Sequence, residues 1–397
     1  MERFIILRDE GRPANAAPVG AVFGGARAGA PGLENSDPRI DAYELSKKDL
    51  RDAARNPKVF GVARPMPVEL VKPFIVTAPV AGDAWGVSAV GADKSARTGE
   101  GIVVAVLDTG IESNHPAFAG VKIKQRDFTG TGDGDNDGHG THCAGTIFGR
   151  AVHGVRIGVA AGVTKAMIGK VLDKKASNTS EMILKAVTWA MDGGAQVISM
   201  SLGIDFPGHV KNLVERLEWP IEQATSRALE DYRANVRIFD SLTQMAAARG
   251  AAMGGGTLIV AATGNESNRA REPPLEIAAS LPAAATDVIS VAALNRRVGG
   301  FEIANFSNTF PQISAPGVNI LSAGLGGGLL ALSGTSMATP HVAGVACLWW
   351  EDLKDDGIVP ATAVTVRTKL FATARTDGFG PDVDFVDRGW GIVAAPR

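Results

Sequence analysis

From Gly101 onward, apolar runs long enough for buried strands alternate with stretches of helical periodicity, and this pattern narrows the fold more than any other feature. The runs fall at 102–107, 166–171, 196–201, 257–262 and 288–293. The intervening helix is clearest where Ile183, Leu184, Val187 and Met191 recur at helical spacing. Ser180 is its expected cap, and Gly193-Gly194 its expected stop. Strands buried on both faces and joined by helices predict an α/β fold, a doubly wound parallel sheet with helices on both sides. The terminal Gly389-Trp390-Gly391-Ile392-Val393 reads as a last strand. There are no internal repeats.

The first hundred residues follow another plan. Arg3–Leu7 is a strand candidate, and residues 10–38, rich in Gly, Ala and Pro, read as a flexible loop. Ser46 followed by Asp49 signals a helix start, and Asn56-Pro57 a stop. Strand candidates at 58–63 and 68–72 complete a small β-α-β-β unit. The expected division is therefore an N-terminal unit over 1–79 and a larger domain over 80–397.

A net charge of −2 gives no sign of a nucleic-acid partner, and no apolar stretch is long enough for a membrane span. The two cysteines, Cys143 and Cys347, both lie in apolar segments and read as reduced and buried. With no secretory leader at Met1, this points to the cytoplasm, or to secretion if the native N-terminus is missing.

Three segments carry chemistry. An apolar strand ends at Asp108-Thr109-Gly110; Asp137-Gly138-His139-Gly140-Thr141-His142 precedes a small-residue run; and Ser333-Gly334-Thr335-Ser336 leads into an apolar helix. Alone, Asp108 would start a turn, His139 would bind a metal or line a turn, and Ser336 would cap a helix. Together they supply a hydroxyl nucleophile, a base, and a carboxylate to orient that base.

With these motifs in the order Asp, His, Ser, the chain resembles the subtilisin family (subtilases) over roughly residues 83–395. The resemblance implies a serine endopeptidase acting on protein or peptide substrates. Ser336 would be the nucleophile, His139 the general base and Asp108 its orienting partner, with His142 and His341 in packing roles. Ala262-Thr263-Gly264-Asn265 resembles the oxyanion motif, so Asn265 and the Ser336 backbone N–H would hold the oxyanion. Ser201, Leu202 and Gly203 would pair with extended substrate, Ser280 would close the S1 pocket and Glu266 would sit at its rim. Asp137 would wall the S2 subsite and favour a basic P2 residue.

No cofactor is expected. Calcium is allowed for only at Asp133, Asp135 and Asp137, where half of a calcium loop appears without the rest. Ala117 stands where the family's usual calcium aspartate would be. Residues 204–250 leave room for two or more helices where the family needs one, with Leu213, Val214, Leu217, Ile221 and Leu229 as apolar anchors. This helical insert is read as edge packing, or as a lid or docking surface for a regulatory partner. The N-terminal unit resembles an inhibitory propeptide, with the residues leading into 74–79 lying in the cleft and self-cleavage near 74–84. Pro73 and Pro79 make an uncut regulatory segment the alternative. The rival to a latent protease is a catalytically silent protease-fold binding protein.

Overall fold

The computed structural model describes residues 1–11, 36–75, 84–248, 254–381 and 383–397. In the N-terminal unit, β1 (Glu2–Asp9) is the centre of an antiparallel sheet, flanked by β2 (Pro38–Leu45) and β3 (Val59–Ala63). Helix α1 (Lys47–Arg55) starts in a capping box between Ser46 and Asp49 and ends at Asn56, as the sequence signalled. β2 was not anticipated; its first residue falls at the edge of the expected loop, most of which lies outside the described residues. Two short strands follow, β4 (Val68–Leu70) and β5 (Phe74–Ile75), and both pair with the larger domain rather than with their own unit.

After α2 (Trp85–Ala89), the larger domain builds its sheet from β6 (Val103–Asp108), β7 (Lys122–Asp127), β8 (Lys165–Lys170), β9 (Val197–Met200), β11 (Leu258–Ala262) and β12 (Val288–Arg297). Their order is β7-β8-β6-β9-β11-β12, and every neighbouring pair is parallel. This is the expected α/β architecture. β13 (Gly300–Ile303) adds to β12 antiparallel, and β14 (Ile313–Pro316) adds parallel. The strand order runs outward both ways from β6 and β9, so their carboxyl ends flank a switch point, where open α/β sheets place their sites.

Helices α3 (His139–Phe148) and α7 (Thr335–Asp356) cover one face, and α4 (Ser180–Asp192) with the C-terminal part of α6 (Ile221–Ala248) covers the other. Ile5, Leu7 and Ile40 of the N-terminal unit belong to the same apolar cluster as Ile183, Leu184 and Ile238. The unit is thus seated on that second face.

Three local expectations are corrected. Thr179, not Ser180, occupies the cap of α4; the Ser180 hydroxyl instead accepts from the Met66 N–H at 3.1 Å. Residues 389–393 make isolated bridges through Ile392 to Ser314 and Arg375 rather than a strand. The insert does form two helices, α5 (Phe206–Leu217) and α6, joined after β10 (Leu202–Ile204). Of its five anchors, however, only Leu213 is buried and Val214 half-buried, while Leu217, Ile221 and Leu229 are exposed.

Candidate active site

β6 delivers Asp108 at its carboxyl end, fully buried, and α3 begins with His139. His139 Nδ1 lies 2.8 Å from Asp108 Oδ1. Burial penalises the imidazolium, but the adjacent Asp108 carboxylate outweighs it and raises the pKa of His139 well above the usual value. Nε2, the nitrogen a base would use, makes no hydrogen bond among the described residues. His142 and His341 are packed side chains: His142 Nε2 meets the carbonyl of Ile320 at 3.0 Å, and His341 Nδ1 that of Met337 at 2.8 Å. Burial lowers their pKa values to about 3 and about 4.

Ser336 enters from β16 (Leu329–Ser333), which pairs with β15 (Ile320–Ala323), and sits in the first turn of α7. Asn265 follows the end of β11. Its Oδ1 accepts from both the N–H and the hydroxyl of Thr335, each at 2.9 Å, so its Nδ2 must face the cleft. Thr335 was not singled out in the sequence, although its place beside Ser336 made it a neighbour of any oxyanion group.

The cleft holds the chain's own N-terminal segment. β4 pairs antiparallel with β10, matching Leu70 to Leu202, Glu69 to Gly203 and Val68 to Ile204. On its other side, the Val68 N–H donates to the carbonyl of Asn178 at 3.1 Å. Ser336 Oγ donates to the carbonyl of Val71 at 3.0 Å, and Asn265 Nδ2 to that of Lys72 at 2.9 Å. Beyond the serine, Phe74 and Ile75 pair with Ser333 and Leu332, and the Phe74 ring packs on Phe306 with centroids 5.0 Å apart. The residues leading into 74 thus run through the cleft, from Val68 to Lys72. Of the expected cleavage window 74–84, residues 76–83 lie outside the described residues.

The expected specificity residues are dispersed around this strand. Leu202 and Gly203 pair with it, whereas the Ser201 side chain is buried and donates to the backbone carbonyl of Ser336 at 3.1 Å. A Cβ on Gly203 would lie 3.1 Å from Ser280 Oγ and 3.8 Å from Val71 Cγ2, which places Ser280 and Val71 around one recess. Glu266 is exposed, and its carboxylate accepts from Asn308 Nδ2 at 2.6 Å. Asp137 is half-buried and pairs with Lys174 at 2.7 Å.

Asp133, Asp135 and Asp137 do not converge as a ligand set among the described residues. Asp135 accepts from Thr109 Oγ1, from the N–H groups of Asp137, Gly138 and Thr141, and from Thr141 Oγ1. Although burial works against its charge, these bonds lower its pKa. It braces the loop before His139. Asp108, His139 and Cys143 do bring potential ligand atoms within 4.8 Å of one another, but two of the three are already bonded to each other. Cys143 and Cys347 are free and buried, as expected. Thiols shielded in a core are inert in either redox compartment, so the cytoplasmic reading gains nothing from them. Among the described residues, no helix is long and apolar enough to cross a membrane.

The subtilase family profile matches residues 99–391, and the chain belongs to that family. It is 34% identical over 272 residues to a subtilisin-like protease of Coccidioides posadasii, covering 67% of this chain but only 56% of the relative. A subtilisin-like serine protease of Penicillium rubens is 31% identical, with 77% and 68% covered. Thermitase of Thermoactinomyces vulgaris is 34% identical, with 63% and 75% covered. Residues 99–391 are thus a subtilisin-like serine endopeptidase domain, whose substrates are proteins or peptides.

Proposed function

We propose that the whole chain is a serine endopeptidase that works through an acyl-enzyme and is held latent by its N-terminal unit, residues 1–79, against the peptidase domain, 80–397. Ser336 Oγ attacks the substrate carbonyl carbon while His139 Nε2 takes its proton, and Asp108 steadies the resulting imidazolium. Asn265 Nδ2 and the Ser336 N–H receive the oxyanion. His139 then protonates the leaving amine, and water releases the acyl group by the same steps in reverse. Leu202 and Gly203 bind the substrate backbone, Ser280 limits the S1 pocket with Glu266 at its rim, and Asp137 walls the S2 subsite. Asp135 acts as a brace rather than a calcium ligand, because each of its two oxygens already accepts at least two hydrogen bonds.

One observation carries the latency reading: the peptide strand on β10 presents Val71 and Lys72 to the nucleophile and the oxyanion donor. Yet the two groups grip different carbonyls. Attack at Val71 would need its oxygen on Asn265, and that place is taken by Lys72. Such a strand blocks the cleft while resisting acylation, which favours an uncut regulatory segment over self-cleavage at this bond.

The test compares wild type with Ser336→Ala by intact mass and by fluorophosphonate labelling. Slow labelling of a full-length wild type, with none in the variant, is the expected result. Loss of the first 74–84 residues would instead make the unit a cleaved propeptide. No labelling even after limited proteolysis would leave the silent binding-protein reading.

A further inference from the structure

Asp231, midway along α6, is only 3% exposed. A sealed carboxylate persists only where cations or donors neutralise it. Two partners come from the insert: Arg227 Nε at 3.1 Å, one turn earlier, and His209 Nε2 on α5 at 3.2 Å. The third, Arg64 at 3.2 Å, belongs to the N-terminal unit just after β3. Glu2 of that unit bridges back, accepting from Arg64 Nε at 2.6 Å and Arg227 at 3.2 Å. The Arg64 guanidinium lies over the Phe4 ring, 4.6 Å from its centroid, which fixes its direction. The Arg64 carbonyl accepts from the buried Asn235 Nδ2 at 2.9 Å. Beside it, a Cβ on Gly61 would lie 2.5 Å from Ile238 Cγ1, so β3 lies directly against α6.

We infer that the helical pair over residues 206–236 is a receptor for this chain's own N-terminal unit, with Asp231 as the anchor for Arg64. The inference rests on the latency reading above and names what keeps the inhibitory unit seated. The charge logic is asymmetric. If the unit lifts away, Asp231 keeps Arg227 and His209, so the receptor stays folded and charged for recapture. Among the described residues of its own unit, Arg64 keeps only Glu2 as a carboxylate partner, and that side chain is 53% exposed. The regulatory partner of the insert is therefore part of the same chain, and release is reversible.

The test uses the full chain and reads two quantities, the rate of fluorophosphonate labelling at Ser336 and hydrogen exchange of the amides at 59–63. Arg64→Ala alters only the N-terminal side, and Asp231→Asn only the receptor. Val71→Asp serves as a control that unseats the strand at the serine without touching the anchor. Arg64→Ala is expected to speed labelling by about tenfold or more and to hasten exchange at 59–63. Asp231→Asn should act in the same direction, and the double variant should add little to the larger single effect. If Val71→Asp speeds labelling while Arg64→Ala changes neither quantity, the receptor is overturned and latency stands. If wild type already labels as fast as Val71→Asp, latency fails, and exchange alone judges the receptor: faster in Arg64→Ala supports it, unchanged overturns it. Should Asp231→Asn melt early, Arg64→Ala, at the partly exposed edge, decides between these outcomes.

Discussion

Asn265 offers the sharpest test of the chemistry, because its two ends hold different tasks. Oδ1 is fixed by the N–H and hydroxyl of Thr335 at 2.9 Å each, and Nδ2 faces the cleft, 2.9 Å from a carbonyl oxygen. Asn265→Ala removes the donor; in subtilisin itself the corresponding loss costs about 10²–10³ in kcat, or roughly 2.7–4 kcal/mol. Asn265→Asp keeps the shape and both bonds to Thr335 but places a negative oxygen where the donor stood. Two like charges about 4 Å apart repel by about 4 kcal/mol at an effective dielectric near 20. In a partly exposed cleft we halve this, leaving about 2 kcal/mol, or about 30-fold more in rate. The Asp variant should therefore fall about 3 × 10³ to 3 × 10⁴ below the parent. Both substitutions also release Lys72, so the comparison belongs in a common Val71→Asp background, with kcat measured on a saturating chromogenic peptide. Equal losses in the two variants, or a change confined to KM, would refute the assignment of Nδ2 to the oxyanion.

A base must be neutral, so the raised pKa of His139 puts the acid limb of kcat above the ordinary histidine value of about 6.5; Asp108→Asn should lower that limb and cost about 10⁴ in kcat. A wild-type limb below about 6.5 would contradict this reading. In Gly140→Ala, the new Cβ would sit 2.2 Å from the carbonyl oxygen of Gly110 and 3.2 Å from Asp108 Cβ. We expect about 3 kcal/mol of destabilisation in urea melts and a loss of activity beyond about 10² in the molecules that remain folded. At S2, Lys174→Ala should strengthen the preference for Lys over Ala at P2 by a few-fold, given an exposed partner, and Asp137→Ser should abolish it. Identical ratios in both variants would dismiss Asp137 as a specificity residue.

Much of the peptidase domain was legible because its central strands, unlike the edge strand β7, are buried on both faces. Runs such as Val103–Asp108 and Leu258–Ala262 have almost no polar residue to confuse the period, and each is followed two residues on by a glycine with positive φ, Gly110 and Gly264. β2 escaped because it is an edge strand paired only with β1, and only Pro38 and Ile40 along it are buried. The cap of α4 is hidden from local rules because Ser180 is recruited by Met66, more than a hundred residues earlier. The insert misleads in another way: three of the apolar residues read as anchors are exposed, while Ile238, Phe239 and Leu242, further along α6, are buried against the sheet and a buried aspartate, Asp231, holds Arg64.

The register of the cleft strand was equally hidden, yet it explains how such a site can be blocked by its own chain. Leu202 and Gly203 pair with the backbone of β4, and such pairing is tolerant of sequence, so on the latency proposal they would hold an inhibitory strand as readily as a substrate. What separates the two is the carbonyl alignment at the serine. A free substrate can slide until one carbonyl meets both Ser336 and Asn265. The tethered strand cannot, if residues 61–64 are pinned on α6 only a few residues upstream, while Phe74 and Ile75 are paired on β16 beyond it. Fixed at both ends, it divides its carbonyls between the two groups. Loosening either end should therefore open the cleft by letting the strand lift from the serine, and reseating both ends should close it again.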